Sequence, residues 1–235
     1  RLSDKTWAPI KATNVVELTN DIMALGKNPV IVGIEIKEGR IKTNTIEALK
    51  NSEGIKLLEY TNMGVFKKDK LAGWLNADEG KGFKYITGEV KTTVGYLEKG
   101  KEDVITVDVS NTKSTIKVEL EDKKPKAEVL IKVEYNVTEL EGDLDLTKPE
   151  NIELLNKLLE DKLKRICGAS VKKAQKDLKS DIFGFGEAFH RKYPDYWKKV
   201  SKAWDDMFSD MPVNITVQAK LKTTGDISKP LNGQD

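Results

Sequence analysis

The sequence predicts an α+β protein: an antiparallel β-sheet packed against a long helix and further C-terminal helices, preceded by a smaller α/β unit. Three observations carry this reading. Residues 102–140 read as strands in series, the last of them with a clear two-residue alternation. From residue 149 the composition changes to helix formers, with apolar side chains near helical spacing. The segment "VNITVQAKLKTTG" near the end then returns to strand alternation.

Taken in order, "TNVVELTNDIMAL" places Val15, Leu18, Ile22 and Leu25 at helical spacing, with Thr13 or Asn14 as cap and Gly26 as stop. "PVIVGIEI" is a β-branched run of strand length, and "NTIEALKNSEG" reads as a short helix or a connecting turn. Residues 1–54 therefore read as the end of a preceding domain whose start lies upstream, and 55–235 as the main unit.

"MGVFKKDKLAGWLNADEG", Met63 to Gly80, reads as a hairpin around the charged loop Lys67-Lys68-Asp69-Lys70. Pairing Phe66 with Leu71 sets Val65 opposite Ala72 and Gly64 opposite Gly73. Opposed glycines leave a hole, which marks either a close approach of another element or a bulge. Asn76 followed by Glu79 has the form of a capping box, so a short helix starts there.

"EDVITVDVS" and "STIKVELE" follow as strands. "AEVLIKVEYNVTEL" then puts Val129, Ile131, Val133, Tyr135 and Val137 on one face and Lys132, Glu134 and Asn136 on the other, a sheet with one wet face. The helical run carries Ile152, Leu155, Leu159, Leu163, Ile166, Val171, Ala174 and Leu178. It is expected to lie across the sheet, with Gly168 interrupting it or letting it pass close to a strand, and with Gly64 and Gly73 as the place of approach. "DIFGFGEAFHRKYPDYWKKVSKAWDDMF" holds eight of the sixteen aromatic residues, and Pro194 suits the first turn of a final helix bearing Trp197, Val200, Trp204 and Phe208. The closing "SKPLNGQD" is expected to fray.

The composition limits the chemistry. Forty basic side chains against 38 acidic ones give a formal charge of +2, without the global field of a dedicated nucleic-acid binder. No apolar run approaches the ~20 residues that span a bilayer. One cysteine, Cys167, and one histidine, His190, leave a Cys-His pair possible on paper, but packing and surface roles suit both better. No tight metal-ligand spacing is present, and no cofactor is implied. "GFGE" at Gly184 to Glu187 lacks the full glycine-rich phosphate-loop pattern and reads as a turn joining two helices. The glycosylation patterns at Asn136 and Asn214 sit in strands and are read as chance. Lys172, Lys173, Lys176 and Lys179 read as a solvated helix face, because Asp177 and Asp181 interrupt them.

The order of motifs adds to this. "GVFKKDKLAGWLN", the strand series, "VKKAQKDLKSDIFGFGEAFHRKYPDYWKKV" and "VNITVQAKLKTTG" together resemble the C-terminal domain of the C subunits of bacterial spore germinant receptors, the Ger(x)C lipoprotein family, from about Ile55 to Gly225. "APIKATNVVELTNDI" resembles the end of that family's N-terminal portion. Gly64 stands where the family often has alanine.

The resemblance implies a non-enzymatic lipoprotein, with a lipid anchor upstream of Arg1, on the outer face of the inner spore membrane. It implies integral membrane A and B subunits as partners, no nucleic acid, and a role in the nutrient response that triggers ion and dipicolinate release. Cys167, in mid-helix, is not the lipidated cysteine. The expected interaction residues are Lys67, Lys68 and Lys70 at the hairpin tip, and Tyr196 and Trp197 in the aromatic segment. Two rivals stand beside this scaffold role: a small-molecule, nutrient-binding module, and a Cys-His hydrolase.

Overall fold

A computed structural model of the chain describes residues 14–39, 55–100 and 103–224. The element expected in 44–54 and the fraying expected of 228–235 lie outside these residues.

Helix α1 (Val15–Met23) begins as the sequence predicts, with the Asn14 side chain accepting from the Glu17 amide at 2.8 Å. Its apolar stripe is not buried: Val15, Ile22 and Leu25 are all exposed. Strands β1 (Val30–Gly39), β2 (Ile55–Lys67) and β3 (Lys70–Leu75) form an antiparallel three-stranded sheet in that order. Helix α2 (Ala77–Thr87) follows, and its Asn76–Glu79 capping box is complete in both directions.

A second sheet takes the order β4 (Thr93–Lys99), β5 (Asp103–Glu121), β6 (Lys124–Glu141), β7 (Val213–Thr223). The first three strands are antiparallel, whereas β7 runs parallel to β6. The two strands expected in 102–121 are one continuous β5, because bulges near Thr106 and Ser110 let the chain bend without leaving the sheet. Asp122 and Lys123, both at positive φ, then make the tight turn into β6.

The alternation in β6 is realised. Val129, Ile131, Val133, Tyr135 and Val137 are all buried on one face. Against that face lies α3 (Pro149–Lys172), which continues as a π-helical turn at Lys173–Asp177. It buries Leu155, Leu159, Leu163, Ile166, Cys167 and Val171. At ~1.5–3 kcal/mol per fully buried aliphatic side chain, this contact is a principal source of stability.

Polar side chains of α3 also secure both edges of the sheet, which would otherwise present unpaired backbone groups. Asn156 Oδ1 accepts from Leu221 N and Glu160 Oε1 from Ala219 N, along β7. Lys162 Nζ donates to the Tyr96 carbonyl on β4. The α+β architecture predicted from the sequence is therefore the one formed.

The long helical run approaches two glycines closely: at Gly82 of α2 an added Cβ would stand 2.3 Å from the Ile166 carbonyl oxygen, and at Gly73, one of the two expected positions, 2.6 Å from Leu178. Around Gly168 such an atom would meet nothing within 4 Å. Three short helices precede β7: α4 (Phe185–Lys192), α5 (Pro194–Val200) and α6 (Trp204–Asp210); a 3-10 turn at Ser201–Ala203 splits the one helix expected after Pro194 into α5 and α6.

Candidate docking surface

The β2–β3 hairpin turns through two residues, Lys68 and Asp69, with Lys67 paired to Lys70. Lys68 takes a left-handed conformation at φ 58° to close the turn. Phe66 pairs with Leu71 as the sequence predicts, but a bulge at Ala72 shifts the rest, so Val65 faces Gly73 and Gly64 faces Trp74. The two glycines are not opposed.

Each instead admits a different neighbour. An added Cβ on Gly73 would stand 2.6 Å from Leu178, which follows the π-helical turn. Gly33 and Gly64 make room for the Trp74 ring, which a Cβ would approach to 2.6 Å and 3.3 Å respectively. The indole thus lies across two strands, and 45% of Trp74 is still exposed, beside the exposed Leu71. Lys68 and Lys70 project next to this pair without burial.

Lys67 differs from its neighbours. Its ammonium lies 2.9 Å from Asp205 Oδ2 and donates to the Lys179 carbonyl at 3.3 Å, tying the hairpin to α6. Both partners are partly exposed, so Lys67→Ala is expected to lower unfolding free energy by less than ~1 kcal/mol in a urea titration.

Beneath the hairpin, the aromatic segment forms a continuous packed group. Phe83, Phe183, Phe185 and Phe208 stack in succession, with centroids 5.3 to 6.2 Å apart. Phe189 meets Trp204 at 5.4 Å, and Trp204 meets Trp197 at 5.3 Å. Trp197 is buried, at 4% exposure, between His190 and Trp204. Tyr196 lies at the rim, its ring 6.2 Å from Phe189 and its hydroxyl donating to the Lys123 carbonyl.

Asp181 organises this group, a role that sequence reading missed. It is fully buried. Its Oδ1 accepts from the amides of Phe183, Gly184 and Phe185, and its Oδ2 from the Gly186 amide at 2.7 Å and Trp204 Nε1 at 3.0 Å. Burial raises its pKa to about 6 against the opposite pull of these donors. The "GFGE" motif is thus a turn that wraps a carboxylate at the start of α4, with Gly184 at φ 80° making the bend.

The remaining candidate chemistry has structural partners. Cys167 is buried against the Gly82 carbonyl at 3.8 Å, and burial pushes its thiol up to about 12, far from a thiolate at neutral pH. His190 stacks on Trp197 instead. Of the basic cluster, Lys173 pairs with Asp177, and Lys176 with Asp210. Among the described residues no group of three or more metal-ligating side chains is found, and no helix is long and apolar enough to cross a membrane.

Comparison with known proteins agrees with the architecture. The chain is 24% identical over 235 residues to spore germination protein KC of Bacillus subtilis (strain 168), covering 99% of this chain and 58% of that protein. It is 31% identical over 162 residues to spore germination protein YndF of the same organism, covering 68% of this chain and 40% of that protein. Spore germination protein B3 is 25% identical, with 94% and 60% covered. The chain therefore spans less than two thirds of the length of these relatives. A crystal structure of the GerBC protein superposes with a TM-score of 0.69 at 24% identity, over 88% of this chain and 58% of that one, which shows a shared fold. Residues 61–225, well over half of the chain, match the family described as spore germination B3/GerAC-like, C-terminal, and the chain belongs to that family.

Proposed function

We propose that the chain is a non-enzymatic interaction module of a nutrient germinant receptor, docking on the integral membrane A and B subunits. The observation that carries the reading is the hairpin surface: a half-exposed tryptophan and a leucine flanked by two free-standing lysines. Tryptophan is among the side chains most enriched at interface hot spots, and a polar rim around such an anchor is usual. The membership in a spore germination family says which kind of assembly to look in. In the same proposal the longer protein is held by a lipid anchor at the outer face of the inner spore membrane, and residues 55–235 form the docking unit after the end of a preceding one at 1–54. Strand β1 hydrogen-bonds to β2 across that division.

Of the five residues singled out in the sequence, Lys68 and Lys70 are exposed and Tyr196 is half-buried at the rim of the aromatic group, and the proposal assigns these three to the contact. Lys67 is occupied by Asp205, and Trp197 supports the surface from within. The double reversal K68E/K70E is expected to reduce co-purification with the membrane subunits from spore membranes at least tenfold. Nutrient-induced dipicolinate release should slow with it, while the thermal midpoint of the purified protein stays unchanged. Normal co-purification of K68E/K70E, and of K68E/K70E/W74A, would reject the hairpin as the docking element.

A further inference from the structure

A cleft of about 640 Å³ opens between α2, α3 and β4, away from the hairpin. That is within the range of small-molecule sites. Its floor is apolar: Leu97, Val107, Leu159, Leu163 and Ile166 line it. Its lining includes five cations, Lys81, Lys91, Lys162, Arg165 and the buried Lys84, and three carboxylates, Asp78, Glu89 and Glu98.

One residue of the lining leaves room that a side chain would take. Gly95 sits on β4 opposite Val107, where its neighbour two residues on, Leu97, points into the core. A Cβ added at Gly95 would meet only a Val107 methyl, at 3.9 Å. Nothing in the packing therefore requires glycine there. A glycine inside a strand costs stability unless a ligand or another backbone needs the room, and here no protein atom takes it.

The cations are unevenly satisfied. Lys81 approaches Asp78 at 3.4 Å. Lys162 donates to the Tyr96 carbonyl and lies over the Tyr96 ring at 3.9 Å, without a carboxylate partner among the described residues, and burial, ahead of the neighbouring Lys81 and Arg165, lowers its pKa; Glu98 acts in the opposite sense. An ammonium in this position gains from an incoming negative charge. Arg165 and Lys91 are exposed at the mouth and make no ion pair with a described residue.

We infer that this cleft binds a small amphipathic monoanion, its apolar body in the space beside Gly95 and its charged head at Arg165 and Lys162. The head is a carboxylate or a phosphate, and the site is separate from the hairpin surface, so it does not depend on the docking reading.

Sodium decanoate is the first probe, titrated into isotopically labelled protein and followed by backbone amide shifts. Saturable shifts at Thr92, Gly95 and Leu163 are expected, with decanol at least tenfold weaker and decyltrimethylammonium weaker still. Gly95→Val fills the space and should weaken decanoate binding more than tenfold, while thermal stability stays equal or rises, since valine suits a strand better than glycine. Arg165→Glu, an exposed position, should weaken decanoate at least tenfold and decanol hardly at all. K68E/K70E should bind decanoate as the unchanged protein does. Phosphatidylglycerol vesicles form the last arm: vesicle binding without saturable binding of free decanoate would overturn the inference. So would equal affinity for the cationic probe, or undiminished binding by Gly95→Val.

Discussion

Asp181→Ala is expected to lower the unfolding free energy by at least ~4 kcal/mol, a large share of the ~5–15 kcal/mol of a typical domain. Five N–H groups converge on the two carboxylate oxygens, and four of them are backbone amides that cannot turn elsewhere. Alanine leaves them buried without an acceptor, each such group costing ~1–3 kcal/mol unless water enters. Asp181→Asn should fall between, near ~2 kcal/mol: its oxygen serves three amides, but its NH₂ then faces the Gly186 amide and the Trp204 indole. Removing the indole donor with Trp204→Phe should reduce the extra cost of Asp181→Asn in a double-mutant cycle.

The same carboxyl gives a pH signature. Its pKa is about 6 in the folded state and 3.8 when unfolded, so between these values the folded protein binds the extra proton. Its contribution is therefore full below pH ~4 and lost as pH rises through ~6, a change of about 3 kcal/mol. Urea titrations across pH 4 to 7 should show that loss in the unchanged protein and lack it in Asp181→Asn.

The second large effect is Gly82→Ala. Alanine normally stabilises a helix by ~1 kcal/mol relative to glycine. Here its methyl would stand 2.3 Å from the Ile166 carbonyl oxygen and 2.9 Å from Ser170 Cβ, so α2 must move away from α3. Overpacking of this kind costs ~3 kcal/mol. A net loss of about 2 kcal/mol is expected. Gly168→Ala is the control with the opposite sign: within α3 and with nothing near the new methyl, it should gain up to ~1 kcal/mol. Both are read by chemical unfolding, and a loss from Gly168→Ala equal to that from Gly82→Ala would contradict the helix contact described.

What the sequence disclosed follows the range of the interactions. The Asn76–Glu79 box and the inward face of β6 are set by residues three and two apart, and both are as expected. The hairpin register was legible as far as Phe66–Leu71, where the turn dictates it. It was lost beyond the Ala72 bulge, past which Trp74 crosses onto Gly33, far back in the chain. Strand β4 is not legible because "TVGYLEK" is short and interrupted by Gly95, a residue that strands disfavour. Likewise, nothing local marks Asp181 as an acceptor for an indole 23 residues away. For the docking surface, the lysines of the tip were visible as a charged turn. Trp74 carried a signal that went unread, a large aromatic opposite a glycine on an edge strand. Trp197 illustrates the converse: aromatic spacing marks a packed helix face without telling which rings stay inside.

The most direct test of the docking role places a photo-crosslinking phenylalanine analogue at position 74 of the full-length protein in spores. Irradiation is expected to join it to an integral membrane subunit of the receptor, and K68E/K70E in the same background should abolish the product. A protein present at its normal level that crosslinks to no membrane subunit from position 74 would contradict the account.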